Sequence, residues 1–595
     1  MNLNIAASTL APSRACLERR FAAHDRTQLF FRHWPAASEK PRGALLLFHR
    51  GHEHSGRVAH LVDELDMPDF AFYAWDQRGH GLSRGQAETT QIFADRVRDI
   101  DDFTRFIAQE DGVAIEDMAI VAQSVGAALA AAFAHDYAPR LRALCLAAPA
   151  FDIKLYVPFA RPALALMHRL RGDFLVNSYV KPRFLTHDES RIVSYEADPL
   201  ITRPIPVKML LGLYEAGERV VRDAAAITIP TQLLVSGADW VVRQAPQHEF
   251  FVNLGARTKE RHVLEGFFHD TLGEKNRAEA VAKARSFLLA RFDEPREEAS
   301  LLDADVTGFT RREADALATP VSIASLKGAY WAMTRASLRL GALLSGGLEA
   351  GRRTGFDSGS MLDYVYRDTP QGFSGLGRLI DRLYLDAIGW RGIRVRKQNV
   401  EELLALAMRR LADAGTPVRV MDVAAGYGRY VLDALARSEA SPERVLLRDF
   451  SDVNVAAGRA LIAERGLAER ASFVKGDAFD ADSLAAVEPK PTLGVVSGLY
   501  ELFPDNARVR RSLSGLARAI PPGGYLVYTC QPWHPQLELI ARALTSHREG
   551  QAWVMRRRTQ NEMDQLVAEA GFDKIEQRID EWGIFTVALA RRREA

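Results

Sequence analysis

The chain has 595 residues, too many for a single hydrophobic core, and the usual domain size predicts about two to four domains. Hydrophobic residues make up 47% and charged residues 26% of the composition, which is ordinary for a soluble globular protein. Lysine and arginine number 77 against 76 aspartates and glutamates, and a charge so close to zero gives no electrostatic case for nucleic acid as a partner.

The cysteines and the apolar runs of the sequence indicate in which cellular compartment the protein lies. Cys16, Cys145 and Cys530 are scattered and odd in number, which suits a reducing compartment better than a disulfide framework. No uninterrupted apolar run reaches the length that spans a bilayer, and residues 1–20 lack the basic region followed by an apolar region of a secretory signal. We therefore predict a cytoplasmic protein and leave peripheral contact with a membrane open.

The first predicted elements are strands. Residues 20–23 and 29–34 have the pattern of two antiparallel strands, and residues 43–49 are continuously apolar, as in a strand buried on both faces. The buried strand leads into the loop 49–57, whose sequence is His-Arg-Gly-His-Glu-His-Ser-Gly-Arg. Its three histidines raise the alternative of a metal site, but the spacing supplies no further cluster of ligands. We predict no metal there.

A serine follows a later buried strand. Residues 71–75 form another strand and run into a glycine-rich loop at 76–85. Residues 119–123 are again apolar, and Ser124 then stands between this strand and a helical run rich in alanine. This is the context of a nucleophile elbow, Gly-x-Ser-x-Gly, with Ala122 at the first glycine. The alternative from these residues alone is a serine that caps a buried helix.

Two loops carry a resemblance to a known family. Residues 49–57 resemble the His-Gly-x-Gly-Glu-His-Ser-Gly-Arg loop of the monoglyceride lipase and lysophospholipase branch of the α/β-hydrolases, with an arginine and a histidine at two of its glycine positions. Residues 76–85 resemble the Asp-x-x-Gly-His-Gly-x-Ser-x-Gly turn of the same family. The resemblance implies an oxyanion hole made by the backbone amides of Gly51 and Val125.

The same resemblance implies the partners of Ser124. A buried strand ends in Gly-x-Asp at Asp239, the position of the family's acid, and His269, on a loop after the last strand, has the position of its general base. Such partners are required because a serine hydroxyl is a weak nucleophile until an imidazole accepts its proton and a carboxylate orients the imidazole. Asp270 and His262 are the alternatives, of which Asp270 is expected to be a solvated neighbour.

The remaining parts of the first half set the domain boundaries. The segment 151–225 breaks the alternation of strands and helices and resembles the family's cap over an acyl pocket. The alternative is a set of lid helices without a role in specificity.

The stretch 293–319 is dense in charge and poor in apolar periodicity, so we place the boundary between the two halves of the chain there. Residues 321–353 are amphipathic and are expected to pack on a domain or to lie on a membrane surface. The predicted parts are a hydrolase domain, a charged linker, a helical extension and a second α/β domain, at 1–295, 296–320, 321–412 and 413–595.

The second half begins with a helical pattern and then alternates strands and helices. Asn399 has the form of a helix N-cap, with Glu402 three residues later, and the helix is expected to stop at Gly415. Residues 418–429 have the pattern of a strand, a glycine loop and a helix, a context in which the backbone approaches a nucleotide-like ligand closely. A second strand at 444–449 ends in an acid, roughly twenty residues further on, where a ribose would be bound.

This succession resembles a Rossmann-like class I methyltransferase that uses S-adenosyl-L-methionine as cofactor. A NAD-dependent dehydrogenase is the rival, but the segments 476–479 and 521–524 fit it poorly. In the loop, an alanine stands where the first glycine is usual. The residues that the resemblance implies are Asp422, Ala424, Gly426 and Gly428 for the methionine part, Asp449 for the ribose, Asp477 and Ala478 for the adenine, and Tyr500 and Glu501 on the side of an unknown methyl acceptor.

The joined halves resemble bacterial proteins that fuse an α/β-hydrolase to a class I methyltransferase, over nearly the whole chain. The resemblance implies a bifunctional enzyme, a serine ester hydrolase acting on a mono-acylated lipid and a methyltransferase. The expected partners are a lipid or small-molecule ester and a methyl acceptor, with no nucleic acid. The alternative is a non-catalytic scaffold or ligand sensor, which the alanines at two motif glycines, Ala122 and Ala424, would also fit.

Overall fold

The computed structural model of the chain describes residues 13–85, 92–178, 180–296, 298–548 and 550–594. The chain divides into two compact units, Met1–Ala299 and Ser300–Ala595. Residues 1–12, part of the stretch in which no secretory signal was predicted, lie outside the described residues. Within the described ranges, no helix is long and apolar enough to cross a bilayer.

The first unit alternates strands and helices after an antiparallel start. Its elements are β1 (Leu17–Ala22), β2 (Gln28–Trp34), β3 (Gly43–Phe48), α1 (Leu61–Glu64), β4 (Phe70–Trp75), α2 (Phe93–Glu110), β5 (Met118–Gln123), α3 (Val125–Tyr137), β6 (Ala143–Ala147), α4 (Ala160–Arg171), β7 (Leu175–Asn177), α5 (Glu189–Ala197), β8 (Pro204–Pro206), α6 (Val207–Arg222), β9 (Thr231–Ser236), α7 (Gln244–Asn253), β10 (Lys259–Leu264) and α8 (Ala278–Asp293).

Eight strands of this unit form one sheet in the order β1-β2-β4-β3-β5-β6-β9-β10. β2 runs antiparallel to β1 and β4, whereas the neighbours from β4 to β10 are parallel. Every side chain of β3, β4, β5, β6 and β9 is buried, which explains why the sequence of these strands is continuously apolar rather than alternating. The expected α/β-hydrolase arrangement is confirmed.

Between β6 and β9 the chain leaves the sheet. This segment holds α4, α5 and α6 together with a small antiparallel pair, β7 and β8, and it falls within the predicted cap at 151–225. α4 has no buried residue, and Phe159, Leu166 and Leu170, at its start and along it, are 85%, 57% and 78% exposed. The helix therefore presents apolar side chains away from the core.

The second unit places a layer of helices before its strands. Its elements are α9 (Ala304–Thr307), α10 (Phe309–Ala318), α11 (Leu326–Ala342), α12 (Gly346–Thr354), α13 (Gly359–Arg367), α14 (Gly375–Leu385), α15 (Ile388–Asp413), β11 (Arg419–Val423), α16 (Arg429–Arg437), β12 (Arg444–Asp449), α17 (Asp452–Glu464), β13 (Ala471–Lys475), α18 (Ala481–Ala485), β14 (Leu493–Val496), α19 (Asn506–Ala519), β15 (Tyr525–Cys530), α20 (Leu537–Ala543), α21 (Gln560–Glu569), β16 (Phe572–Ile579) and β17 (Thr586–Arg592).

Seven strands form the sheet of the second unit, in the order β13-β12-β11-β14-β15-β17-β16. From β13 to β15 the neighbours are parallel, and β17 is antiparallel to β15 and β16. The direction of the strand order changes between β11 and β14, and ligands of such sheets bind at the carboxyl ends of the strands beside this point. The Rossmann-like class is confirmed, with the antiparallel pair β16 and β17 added to the predicted strands.

The predicted linker is in part a folded segment of the second unit. Residues 300–318 belong to that unit and include α9 and α10. Glu313 of α10 forms an ion pair with Arg557 at 2.6 Å. The charge that suggested a linker is therefore used, in part, for contacts within a folded unit.

The helix whose predicted N-cap is Asn399 has its N-cap twelve residues earlier, at Ala387, and begins at Ile388. Apolar positions continue along it towards the N terminus, through the buried Trp390 and Ile393, and extend the helix past the predicted cap. Its C-terminal end agrees with the sequence, since the helix stops at Asp413 and Gly415 has a φ of 67°.

Candidate active sites

Ser124 lies on a strained turn between β5 and α3. Its φ of 55° and ψ of −117° are rare for a residue other than glycine, and such a conformation costs about 1–3 kcal/mol. Two hydrogen bonds hold the turn, since the Ser124 amide donates to Ala147 O at 2.9 Å and Ser124 O accepts from the Ala150 amide at 3.0 Å. Ala122, at the first glycine of the motif, lies within β5 and needs no glycine backbone.

Ser124, His269 and Asp239 form a continuous hydrogen-bonded relay. The Nε2 atom of His269 lies 2.7 Å from Ser124 Oγ, and its Nδ1 atom lies 2.8 Å from Asp239 Oδ2. When Nδ1 carries the ring proton and donates a hydrogen bond to the carboxylate, Nε2 of the neutral ring is left as an acceptor for the serine hydroxyl. The arrangement can therefore take a proton from Ser124.

Asp239 is held in place by the main chain. Its Oδ1 atom accepts from the amides of Val241 and Val242 at 2.7 and 2.9 Å. Burial raises the pKa of Asp239, but attraction to His269 and these hydrogen bonds outweigh burial and bring the pKa below its ordinary value. A carboxylate that stays ionised stabilises the imidazolium that forms when His269 accepts a proton.

Gly51 and Val125 lie next to each other beside the serine. A Cβ atom on Gly51 would be 3.2 Å from Val125 Cγ2, so the loop after β3 contacts the first turn of α3. Val125 is the first residue of α3, where an amide has no partner within the helix. Both residues line the same cavity as Ser124 and His269. Their two amides are the candidates for an oxyanion hole.

A cavity of about 610 Å³ opens over Ser124. Among the described residues that line it, the charged side chains are those of Arg50 and Arg96, and none is a carboxylate. The cavity therefore suits an uncharged or anionic molecule with a large apolar part. Its walls are mainly apolar side chains from the segment between β6 and β9, among them Leu164, Met167, Leu210 and Leu213.

A buried polar network behind the relay could not be seen in the sequence. Asp270 accepts from Gln123 Nε2 at 2.7 Å and from Arg191 Nε at 3.1 Å, and Arg50 lies 3.9 Å from it. Burial raises the pKa of Asp270, but the arginines hold it well below its ordinary value. The expectation that Asp270 is a solvated neighbour is wrong, since it is 2% exposed and bound to the residue before the serine.

Arg50 and His52 stand at two glycine positions of the family's motif in the loop 49–57. Arg50 is buried, donates to Glu53 at 2.9 Å, and lies with its guanidinium 5.1 Å from the centre of the Tyr195 ring. His52, at the other position, has a φ of 72° and so retains the left-handed backbone that glycine adopts easily. The arginine at a glycine position was the one signal in the sequence for the buried network.

The three histidines of the loop 49–57 and His262 have partners outside the relay. His49, His52 and His54 do not converge on one point, since their ring nitrogens face Arg50 O at 2.7 Å, Thr202 O at 2.6 Å and Asp198 Oδ2 at 2.9 Å, respectively. His262, the alternative base, is partly exposed and lies 3.3 Å from Glu260. It takes no part in the relay.

In the second unit, a cleft of about 570 Å³ lies at the carboxyl ends of β11 to β14. Ala424, Gly426 and Gly428, in the loop after β11, line it and have φ values of 61°, 59° and 71°. Ala424 adopts this left-handed backbone at a cost of about 1–2 kcal/mol. A Cβ atom on Gly428 would lie 2.4 Å from Leu447 Cδ1, so a side chain there would have to displace the buried Leu447.

Asp449, Asp477 and Ala478 also line this cleft. Asp449 ends β12 and accepts from the amides of Gly426 and Ser451, both at 2.9 Å, through different oxygens. Asn454 Nδ2 also donates to it, at 3.0 Å, and because a carboxylate has about four acceptor positions, Asp449 keeps capacity for one hydroxyl of a ribose. The glycine loop and this carboxylate fit a nucleoside ligand such as S-adenosyl-L-methionine.

Two of the residues predicted for the second site lie elsewhere. Asp422 is fully buried, burial raises its pKa well above the ordinary value, and it is not among the described residues that line the cleft, so its contact with the cofactor stays a prediction. Tyr500 is buried and its hydroxyl donates to Ser512 Oγ at 2.9 Å, so its expected place on the acceptor side stays a prediction that these contacts do not support. Glu501, the next residue, lines a second cavity of about 220 Å³.

The helical extension contributes to the cofactor cleft. The sequence left open whether residues 356–397 cover an acceptor or are purely structural, and the start of α13 lies against the glycine loop. A Cβ atom on Gly426 would be 3.9 Å from Gly359 Cα. The extension residues that line the cleft are Thr354, Asp357, Ser358, Gly359, Ser360, Leu362, Asp363 and Tyr366.

Both halves of the chain match family models. The model described as "Serine aminopeptidase, S33" matches residues 39–276, and the model described as "Putative methyltransferase" matches residues 284–592, more than half of the chain. The chain belongs to this methyltransferase family. The match goes against the dehydrogenase alternative. Within the curated proteins, "Uncharacterized protein YnbC" of Escherichia coli (strain K12) is 55% identical over 583 residues, which are 98% of this chain and 99% of that protein.

The hydrolase unit of this methyltransferase-family protein has relatives of its own. "Monoacylglycerol lipase" of Mycolicibacterium smegmatis (strain ATCC 700084 / mc(2)155) is 22% identical over 282 residues, 46% of this chain and 97% of that protein. The crystal structure of the monoacylglycerol lipase of Paleococcus ferrophilus aligns with a TM-score of 0.40 and 22% identity, covering 44% of this chain and 99% of that one. The predicted fusion of a lipase-like α/β-hydrolase with a methyltransferase is confirmed.

Proposed function

We propose that the first unit is a serine carboxylic-ester hydrolase whose substrate is a mono-acylated lipid, such as a monoacylglycerol or a lysophospholipid. The relay from Ser124 through His269 to Asp239, beside an apolar cavity, carries this proposal. Ser124 Oγ attacks the acyl carbonyl while His269 accepts its proton, and the amides of Gly51 and Val125 stabilise the negative charge that develops on the carbonyl oxygen.

The same residues complete the reaction. His269 gives its proton to the leaving alcohol as the ester C–O bond breaks, and the acyl group stays on Ser124. His269 then takes a proton from a water molecule that attacks the acyl group, which releases the fatty acid and returns the proton to Ser124 Oγ. Asp239 orients the imidazole throughout and stabilises its charged form.

The lining of the cavity supports a lipid ester over a peptide with a free amino group, the substrate that an aminopeptidase would take. An ammonium group needs a carboxylate, and none is found among the described residues that line this cavity, whereas Arg50 and Arg96 are cationic. Apolar walls favour an acyl chain, because each buried CH₂ contributes about 0.8 kcal/mol. The lipase names of the relatives point the same way.

A fluorophosphonate probe tests whether Ser124 is activated. We expect labelling of the wild type and none of Ser124→Ala or His269→Ala. His262→Ala is the matched control, because it removes a partly exposed histidine of the same unit outside the relay. Failure of the folded wild type to react would refute the proposal and favour a non-catalytic binding unit. Release of fatty acid from a monoacylglycerol at equal rates by the wild type and Ser124→Ala would refute it too.

We propose further that α4 brings this unit to a lipid surface. It exposes Leu166 and Leu170, and its last turn carries the basic Arg169 and Arg171. We expect the full chain to float with phosphatidylglycerol vesicles, and the double variant Leu166→Glu, Leu170→Glu to remain behind. A wild type that does not float would refute this part of the proposal.

For the second unit we propose methyl transfer from S-adenosyl-L-methionine. The left-handed glycine loop beside the Asp449 carboxylate carries the proposal. Asp449 would bind a ribose hydroxyl, Asp477 and Ala478 would contact the adenine, and the backbone of residues 424–428 would hold the methionine part. The bound cofactor supplies an electrophilic methyl group on a positively charged sulfur.

Titration calorimetry with S-adenosyl-L-methionine tests this proposal. We expect the wild type to bind, and Asp449→Asn to bind at least about ten-fold more weakly, because hydrogen bonds to a charged acceptor are lost. Asp452→Asn is the matched control, since this nearby carboxylate is 79% exposed. Absence of binding by a folded wild type, or equal weakening in both variants, would refute the proposal.

A further inference from the structure

We propose that the second cavity of the methyltransferase unit binds the methyl acceptor, and that the acceptor is an alcohol or phenol with an apolar body. This rests on the methyl transfer proposed above and adds the class of substrate. The cavity measures about 220 Å³. A molecule held there would lie next to the ligand of the cofactor cleft, because four residues line both spaces: Asp357, Leu362, Gly498 and Leu502.

The walls of the cavity are aromatic and aliphatic. They come from the helical extension, from α20 and from the segments that flank β15 and β17. Such walls bind an apolar body by removing its surface from water, and they penalise a charge that finds no partner. Among the apolar residues that line it are Trp390, Ile393, Leu539, Leu544, Met555 and Phe585.

Two side chains that line the cavity have buried polar atoms without a hydrogen-bond partner among the described residues. Glu501 is 8% exposed, and its Oε1 atom accepts from Thr529 Oγ1 at 2.7 Å, but its buried Oε2 atom has no hydrogen-bond partner among the described residues. Gln531, 4% exposed, has a buried Nε2 donor that is unpartnered in the same way. Buried polar atoms are nearly always paired, so a free acceptor and a free donor in one cavity point to a ligand with both, which a hydroxyl provides.

His534, which also lines the cavity, adds a second donor. It is 5% exposed, its Nδ1 atom accepts from the Gln536 amide at 3.0 Å, and burial lowers its pKa to about 4. The ring is therefore neutral and carries its proton on Nε2, so that His534 donates and does not act as a base. Asp357 also lines the cavity, but its two carboxylate oxygens already accept from Ser546 Oγ and the His547 amide. Glu501 is therefore the group with a free oxygen to accept a proton.

A hydroxyl acceptor gives a balanced transfer. Its oxygen forms the bond to the methyl carbon, the carbon–sulfur bond breaks with its electron pair remaining on sulfur, and the hydroxyl proton passes to Glu501 Oε2. A carboxylate acceptor would be repelled by Glu501. An ammonium is disfavoured by Arg396, which is 3% exposed and whose Nη1 atom lies 4.0 Å from Glu501 Oε1.

The test uses the full chain and 2-naphthol as the probe, with 2-methoxynaphthalene as the matched probe that lacks the hydroxyl proton. Calorimetry and saturation-transfer NMR measure the binding of each with and without S-adenosyl-L-methionine. We expect 2-naphthol to bind at least about ten-fold more tightly, and Glu501→Gln to remove this difference. Tighter binding of 2-naphthoate or 2-naphthylmethylamine than of 2-naphthol would overturn the proposal.

A second variant keeps the test decisive if Glu501→Gln fails to fold. Leu539→Trp fills the cavity from a partly buried position and is expected to weaken 2-naphthol binding at least about ten-fold, with the affinity for S-adenosyl-L-methionine unchanged. Leu379→Trp, at a leucine that is 56% exposed, is the matched control. Wild-type binding of 2-naphthol by Leu539→Trp would overturn the cavity assignment. If the wild type did not bind S-adenosyl-L-methionine, the methyltransferase function would be refuted. The binding of 2-naphthol in the absence of S-adenosyl-L-methionine tests the cavity separately, so the two failures can be told apart.

Discussion

Replacing Asp270 by asparagine tests whether the buried network behind Ser124 stabilises the hydrolase unit. The Asp270 carboxylate is 2% exposed and accepts from Gln123 and Arg191, with Arg50 at 3.9 Å. Asparagine keeps the volume but leaves two buried arginines with less negative charge nearby. Breaking a buried ion pair costs about 3–5 kcal/mol, and because the amide oxygen still accepts hydrogen bonds we expect a loss of about 3 kcal/mol.

The stability difference between the wild type and Asp270→Asn is expected to depend on pH in a defined direction. Burial raises the pKa of Asp270, but the arginines overcome burial and hold the pKa well below its ordinary value. A group whose pKa is lowered by folding contributes stability above its unfolded pKa, near about 3.9, and loses the contribution as the pH falls through the folded pKa. The difference between the wild type and the variant should therefore be complete at pH 7 and shrink only below about pH 4.

Differential scanning calorimetry of the full chain, from pH 7 downwards, measures the effect. We expect Asp270→Asn to lower the midpoint of the hydrolase unit by about 6 °C at pH 7, at roughly 2 °C per kcal/mol for a unit of this size. Asp66→Asn is the matched control, because this carboxylate is 77% exposed and its ion pair with Arg285 contributes close to nothing. An unchanged midpoint for Asp270→Asn, or an equal loss in both variants, would refute the reasoning.

Three further substitutions test the second unit. Gly428→Ala places a Cβ atom 2.4 Å from Leu447 Cδ1 at a φ of 71°, so we expect it to lose about 1–3 kcal/mol of stability and to weaken cofactor binding in calorimetry. Ala424→Gly relieves a φ of 61°, and we expect chemical denaturation to show a gain of up to about 1 kcal/mol, with cofactor affinity retained; a clear loss of stability would contradict this. Tyr500→Phe removes the hydrogen bond to Ser512 and should cost about 1 kcal/mol, whereas an effect on cofactor or 2-naphthol binding would return Tyr500 to the acceptor side.

The sequence predicted the fold and the relay well because both depend on local patterns. A parallel strand buried on both faces is continuously apolar, and such runs lead directly to Ser124, to Asp239 and to the glycine loop after β11. The turns that follow the strands are marked by glycine or by small residues. Each predicted position could therefore be found within a window of about ten residues, and the chain order of serine, acid and histidine joined these windows.

The features that were missed depend on contacts that no local pattern shows. Asp270 pairs with Gln123, 147 residues away, and a charged residue on a loop is expected to be solvated unless its partners are known. Tyr500 and Glu501 are neighbours in a short turn after β14, and only the turn's geometry decides that the tyrosine faces Ser512 while the glutamate faces the cavity. Sequence alone could not separate these two side chains.

Gly126 and Ala122, the last and first positions of the elbow motif, are expected to tolerate substitution differently. A Cβ atom on Gly126 would lie 2.5 Å from His49 O and 2.9 Å from Phe48 O, and these backbone atoms cannot move aside as a flexible side chain would. We expect Gly126→Ala to cost about 1–3 kcal/mol and to slow labelling by the fluorophosphonate, because the loop that carries Gly51 is pushed away from the serine.

Ala122→Gly, by contrast, removes a methyl group from a strand that already accommodates it and should cost about 0.5–1 kcal/mol, with labelling retained. Calorimetry and the rate of labelling distinguish the two variants. The reasoning would be contradicted if Gly126→Ala reacted at the wild-type rate while Ala122→Gly reacted more slowly. The conformation of the turn would then depend on Ala122, and the close approach of α3 to β3 would not be what holds Ser124 in place.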